Sequence, residues 1–244
     1  MGEAYANAVE LAAPGRITGL YMVGSSALGD WQEKVSNFDL VAVADCWDES
    51  AIAAVLGPRG LLRAAGGPPR VAFVTFAQLQ AAPAAGDAVC HEGRRRIDAG
   101  ELVTPLTWAV LAEDGVCLRG PEYFSVHVAE DELRSWAAQR LAGRWRTWVA
   151  RAGRAPGQLW RRSALAEDVL EVTRLHVAAT RGQAVSKLRS GPMALDDVAG
   201  RFHRVVTDAV GYRGGSRTSM YWGPVERKHH TLDLIGELTH RHAG

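Results

Sequence analysis

Residues 19–45 read GLYMVGSSALGDWQEKVSNFDLVAVAD. A hydrophobic run from Leu20 to Val23 meets the turn Gly24-Ser25, and a second turn glycine, Gly29, follows. After a polar loop the chain returns as an apolar run from Phe38 to Ala44. Short apolar runs bounded by glycine and polar clusters read as buried strands. Side chains alternate faces along a strand, so Asn37 and Asp39 are expected side by side at the start of the second strand, with Phe38 turned away. Glycine at position 24 lets backbone approach a bound group where a side chain would block it. Ser25 suits the cap of a helix that starts there.

The order Gly24-Ser25, a spacer, then Asn37-Phe38-Asp39 resembles the polymerase-beta-type nucleotidyltransferases, the aminoglycoside adenylyltransferases in particular. Their motif is Gly-Ser, a spacer and Asp-x-Asp. The resemblance implies an α/β (α+β) nucleotidyltransferase-like domain with a small mixed sheet, followed by an all-helical domain. It also implies transfer of AMP from ATP to a hydroxyl of a small, aminoglycoside-like molecule. Magnesium and ATP are the cofactors of an active protein of this kind; an inactive one needs none. Asp39 is then the metal ligand and leading catalytic acid, Asn37 a weak second, and Gly24 and Ser25 meet the phosphates. Paired carboxylates on one strand face can share divalent ions that stabilise the attacking and leaving oxygens of an in-line displacement. Magnesium suits such a site because it binds through one or two carboxylates and substrate phosphates.

The chain departs from the family at two acids. Asn37 keeps an oxygen but lacks a full negative charge; two unit charges about 4 Å apart interact by roughly 4 kcal/mol at an effective dielectric near 20. The third acid of the family lies on a following strand, which here is Arg70 to Phe76, and its position falls on Ala72 or Phe73. The nearest acid downstream is Asp87, while Asp45 lies about six strand residues, or roughly 20 Å, from Asp39. The motif is therefore degenerate, and the reading is of an impaired transferase. Two alternatives stand beside it: a fold turned to a metal-independent reaction in secondary metabolism, or a noncatalytic pseudoenzyme that binds a small molecule or nucleotide.

The resemblance extends into the second half, through Val172 to His176 and Gly182 to Lys187. It implies that Lys187 reaches the ATP phosphates. The family's substrate-binding acid falls at or near Ala164, with Glu167 and Asp168 one turn away as replacements. Three aromatic residues, Trp31, Phe73 and Trp108, are candidates to line the substrate pocket, the two indoles as rings on which a ligand stacks.

Bulk properties bound the partners. The chain has 244 residues and a formal net charge of +1. That balance argues against nucleic acid or an anionic membrane as partner and leaves a small-molecule ligand. Cys46, Cys90 and Cys117 lie far apart without metal spacing, which fits a reducing, cytoplasmic setting. No basic, apolar leader and no membrane-length apolar run is read. Oligomeric state is not legible here.

Organisation follows from periodicity. A mixed N-terminal part, residues 1–125, is expected to end after a short strand closed by Gly120-Pro121. A helical part, residues 126–244, then closes over substrate or nucleotide across a cleft. Its expected helices cover Glu130 to Trp148, Leu159 to Ala179, Ala194 to Val210 and Val225 to His240, with a flexible stretch from Gly211 to Gly223. Arg94, Arg95 and Arg96 read as a solvated helix face, His176 as a core histidine, and His91-Glu92-Gly93 as a loop that could supply a base.

Overall fold

The computed structural model describes residues 2–32, 36–58, 60–61, 68–84, 86, 88–152 and 161–243. Asp87 and the loop expected at residues 153–157 fall outside them. The chain divides into two compact units, Met1–Ala129 and Glu130–Gly244.

In the first unit the strand–turn–strand becomes β1 (Gly19–Val23), the short helix α2 (Gly24–Ala27) and β2 (Asp39–Val43), preceded by the helix α1 (Gly2–Ala12). The helix α3 (Glu49–Leu56) starts on Asp48, whose side chain accepts from the Ala51 N–H at 2.8 Å. It carries the chain to β3 (Arg70–Val74), parallel to β2 with Asp39 beside Arg70 and Val41 beside Ala72. Thr75 stops that strand by capping the one-turn helix α4 (Phe76–Leu79) with Gln78 in a reciprocal pair of bonds.

A hairpin follows that periodicity does not suggest: β4 (Val89–Glu92) and β5 (Arg95–Ile97). Gly93 adopts φ +59° in its turn, a conformation that favours glycine. The basic run at 94–96 is therefore part of a hairpin and not a helix face. The helix α5 (Pro105–Glu113), capped by Thr104, leads to β6 (Val116–Arg119). The sheet order is β5-β4-β3-β2-β1-β6, mixed because only β2 and β3 run parallel.

Alternation gives this sheet two dissimilar faces. Leu20, Phe38, Leu40, Ala42, Val71 and Phe73 pack with Tyr5, Ala6 and Val9 of α1 and with Ala51 and Val55 of α3. The other face carries Val23, Asp39, Val41, Arg70 and Ala72, and α5 packs against β1 there. Asp39 thus shares a face with the third helix-covered layer and not with the α1–α3 core.

Among the described residues the second unit is built of helices and connecting loops. The helix α6 (Glu130–Arg140) passes through a wider turn at Leu141–Trp145 into α7 (Arg146–Ala152). The helix α8 (Arg162–Arg181) ends on Gly182 in the left-handed conformation. It is the hub, packing on α6, on α9 (Lys187–Leu195), on α10 (His203–Arg213) and on α11 (Pro224–Arg241). The single helix expected over 194–210 is two: Ser186 caps α9 in front of Lys187, and α10 begins only at His203. The stretch expected to be flexible is anchored instead, since Asp208 accepts from Met220 N–H at 2.7 Å and Ser219 Oγ at 3.0 Å. The whole is an α/β nucleotidyltransferase-like domain followed by an all-helical part.

Candidate functional site

The Gly24 turn and the Asp39 strand meet because β1 and β2 pair antiparallel with Val23 opposite Asp39. Gly24 has φ +67°, and a Cβ there would sit 2.8 Å from Asp39 Oδ2. The glycine is needed twice, for its backbone conformation and for the space the carboxylate occupies. The sequence reading had Gly24 open the backbone to a bound phosphate; in this geometry the Asp39 carboxylate lies against it. The strand itself starts at Asp39, one residue later than expected, and Asn37 stays in the connecting loop, partly buried.

What faces Asp39 is a cation that belongs to the protein. Arg70 Nε donates to Asp39 Oδ1 and Arg70 Nη2 to Asp39 Oδ2, each at 2.7 Å. The side chains are 22% and 13% exposed, so water screens the pair only in part. Such two-pronged guanidinium–carboxylate pairs are the stronger class of ionic hydrogen bond. Burial works against the Arg70 charge, but the bonds and charge of Asp39 outweigh it and hold the guanidinium above its ordinary value. Sequence reasoning looked along this strand for an acid and passed over the base at its start. The signal was an arginine heading a strand that runs parallel to the motif strand.

Magnesium needs carboxylate oxygens free to coordinate it. Both oxygens of Asp39 accept from Arg70, whose charge offsets the carboxylate's, Asn37 brings no charge, and Ala72 brings no ligand atom. Among the described residues no group of three His, Cys, Asp or Glu side chains could hold a metal ion. The residues present do not fit a divalent cation at Asp39.

In the helical unit Lys187 heads α9, where its ammonium donates to Glu167 Oε2 at 2.8 Å and lies 3.4 Å from Glu171 Oε2. Arg213, only 3% exposed, donates from Nη1 to Glu167 Oε1 at 2.5 Å. Arg174 donates to both oxygens of Glu171 at 2.9 and 2.7 Å. Burial raises the Glu167 and Glu171 carboxyls, yet the neighbouring cations prevail: Lys187 and Arg213 lower Glu167, and Arg174 with Lys187 takes Glu171 down to about 2. Asp168 has the opposite fate. Burial, reinforced by the charges of Glu167 and Glu171 against that of Lys187, pushes it up to about 7.

The aromatic candidates separate cleanly. Phe73 and Trp108 are each 1% exposed: Phe73 belongs to the α1–α3 core, and Trp108 lines a small cavity of about 80 Å³ with Val74, Gln78 and Val103. Trp31 is partly buried against the edge of the α1–α3 core and lines a cavity. His176 is fully buried and its Nδ1 lies 2.9 Å from His242 Nε2, a structural contact across α8 and the end of α11. Desolvation, with help from the His242 charge, moves the His176 imidazole down to about 4. His91 sits on β4 with its ring edge-on to Phe73, and Glu92 pairs with Arg95 instead of orienting it.

No sequence-family model matches this chain, and no curated protein matches it. Its architecture is similar to a solved structure, spectinomycin adenyltransferase AAD(9) from Enterococcus faecialis with ATP and spectinomycin. The two superpose with a TM-score of 0.66 over 97% of this chain and 98% of that one, at 10% sequence identity. At that identity the likeness is one of fold.

Proposed function

We propose that this chain has given up metal-dependent AMP transfer and works as a small-molecule-binding protein on an aminoglycoside adenylyltransferase-like scaffold. The observation that carries this reading is the Asp39–Arg70 pair: the acid of the motif is neutralised by a guanidinium held on the neighbouring strand. A catalytic ion would have to displace an internal cation already fixed by two hydrogen bonds. The lysine that the resemblance assigns to the ATP phosphates supports the same reading, because Glu167 and Glu171 already neutralise it. Fold likeness to a protein solved with ATP and spectinomycin supports a small molecule as the ligand class. We place the protein in the cytoplasm, consistent with three free cysteines and with no described helix long and apolar enough to cross a membrane.

The test compares the native chain with the double variant Asn37→Asp/Arg70→Ala. Calorimetry with ATP should show no magnesium-dependent binding to the native protein. Freeing Asp39 and restoring its partner acid should create it. Transfer of labelled AMP by the native chain to spectinomycin or a related hydroxyl acceptor would overturn the proposal.

A further inference from the structure

The sheet face opposite Asp39 holds a cavity of about 490 Å³, and it is closed by no residue of the motif face. Met22 and Phe38 form its floor; they alternate with Val23 and Asp39 along β1 and β2 and so look away from the Arg70 pair. Trp31, Ser26, Val116 and Leu118 complete the wall. A volume in the range of roughly 300 to 1,000 Å³ is that of small-molecule sites, which are mostly apolar with a few polar groups.

Two of those polar groups lack partners. Trp31 Nε1 and Ser26 Oγ are both buried and make no hydrogen bond among the described residues. Leaving such a group unpaired costs about 1–3 kcal/mol, so a ligand that supplies a partner gains specificity from it. The indole N–H only donates and the hydroxyl can donate, so the complementary ligand atom is an acceptor. Trp31 and Phe38 provide ring faces. Among the described residues no lysine, arginine or histidine lines the cavity, and the exposed Glu3 stands in its rim, which disfavours an anion.

We infer that this cavity is a binding site for a neutral, ring-bearing molecule carrying a carbonyl or ether oxygen, with Trp31 and Ser26 as the groups that recognise that oxygen. This deepens the binding role proposed above by giving the ligand a place and a chemistry, on the far side of the sheet from the neutralised motif.

The test uses coumarin 153, a neutral fused-ring dye with a carbonyl acceptor whose emission reports its surroundings. Titration of the full chain should show saturable, blue-shifted binding of one dye per chain. Val116→Arg puts a charge into the cavity from an edge-strand position 39% exposed in the native chain, where it leaves folding intact, and should weaken binding about tenfold or more. Trp31→Phe keeps a ring but loses the N–H, and should weaken binding about three- to tenfold. Leu11→Arg, at an exposed apolar position outside the cavity, should bind like the native chain. Unsaturable dye uptake, equal affinity in Val116→Arg, or loss of binding on Trp222→Ala at the fully exposed indole of the helical unit would overturn the inference. AMP transfer is read separately, so failure here and failure of the functional reading give different results.

Discussion

Asp39 with Arg70, and Glu167 with Lys187 and Arg213, are two charge clusters in the two units of one chain, and they balance differently. The first is closed: one acid, one guanidinium, two matched hydrogen bonds. The second carries three acids, Glu167, Asp168 and Glu171, along α8, and its cations favour two of them. Asp168 is left with a carboxyl pushed up to about 7. The first pair is matched charge for charge, whereas the second sets three acids against three cations and still holds one carboxyl raised into the neutral range, so it responds to pH.

The largest effect expected is at the helical cluster. Glu167→Ala removes the carboxylate that Lys187 and the buried Arg213 both face, and should destabilise the chain by about 3 kcal/mol in urea unfolding. A loss under about 1 kcal/mol would mean that the ion pairs are held together by packing alone. Next comes Arg70→Ala, which leaves Asp39 half-desolvated and unpaired; a loss of about 2 kcal/mol is expected, with the partial exposure of both groups limiting it. If the single variant instead gained stability when magnesium was added, Asp39 would be a competent ligand once released.

Gly24→Ala tests how tightly the turn is built around the same acid. The added Cβ would meet Asp39 Oδ2 at 2.8 Å in a left-handed backbone conformation. About 1–2 kcal/mol should be lost, and combining the change with Asp39→Ala should recover part of it. Strict additivity of the two would mean that the close approach contributes nothing.

These contrasts also explain what could be read in advance. Turn chemistry and alternation are local, so Gly24, the buried strands and the placement of Asp39 beside the turn were legible from a dozen residues. The partner of Asp39 was not, because the ladder position of Arg70 depends on the crossover from β2 through α3 to β3. His176 was read as a core residue from its stripe, but its contact lies 66 residues away in His242. The hairpin of β4 and β5 escaped because three arginines in a row mask a two-residue alternation; Gly93 between Glu92 and Arg94 was the one local turn signal.

The effect that best separates the two clusters is one of pH and not of a lost contact. Asp168 binds its proton more tightly in the folded chain than in the unfolded one, because burial and the Glu167 and Glu171 charges raise it from 3.8 to about 7. Folded-state proton binding of that sign adds stability below pH 4 that is lost as pH rises toward 7. Asp168→Asn fixes the neutral form. The variant should match the native chain near pH 4 and exceed it in stability at pH 8, with the difference opening between those values. A pH-independent Asp168→Asn difference would mean that Lys187 neutralises this acid too, and that both clusters are closed.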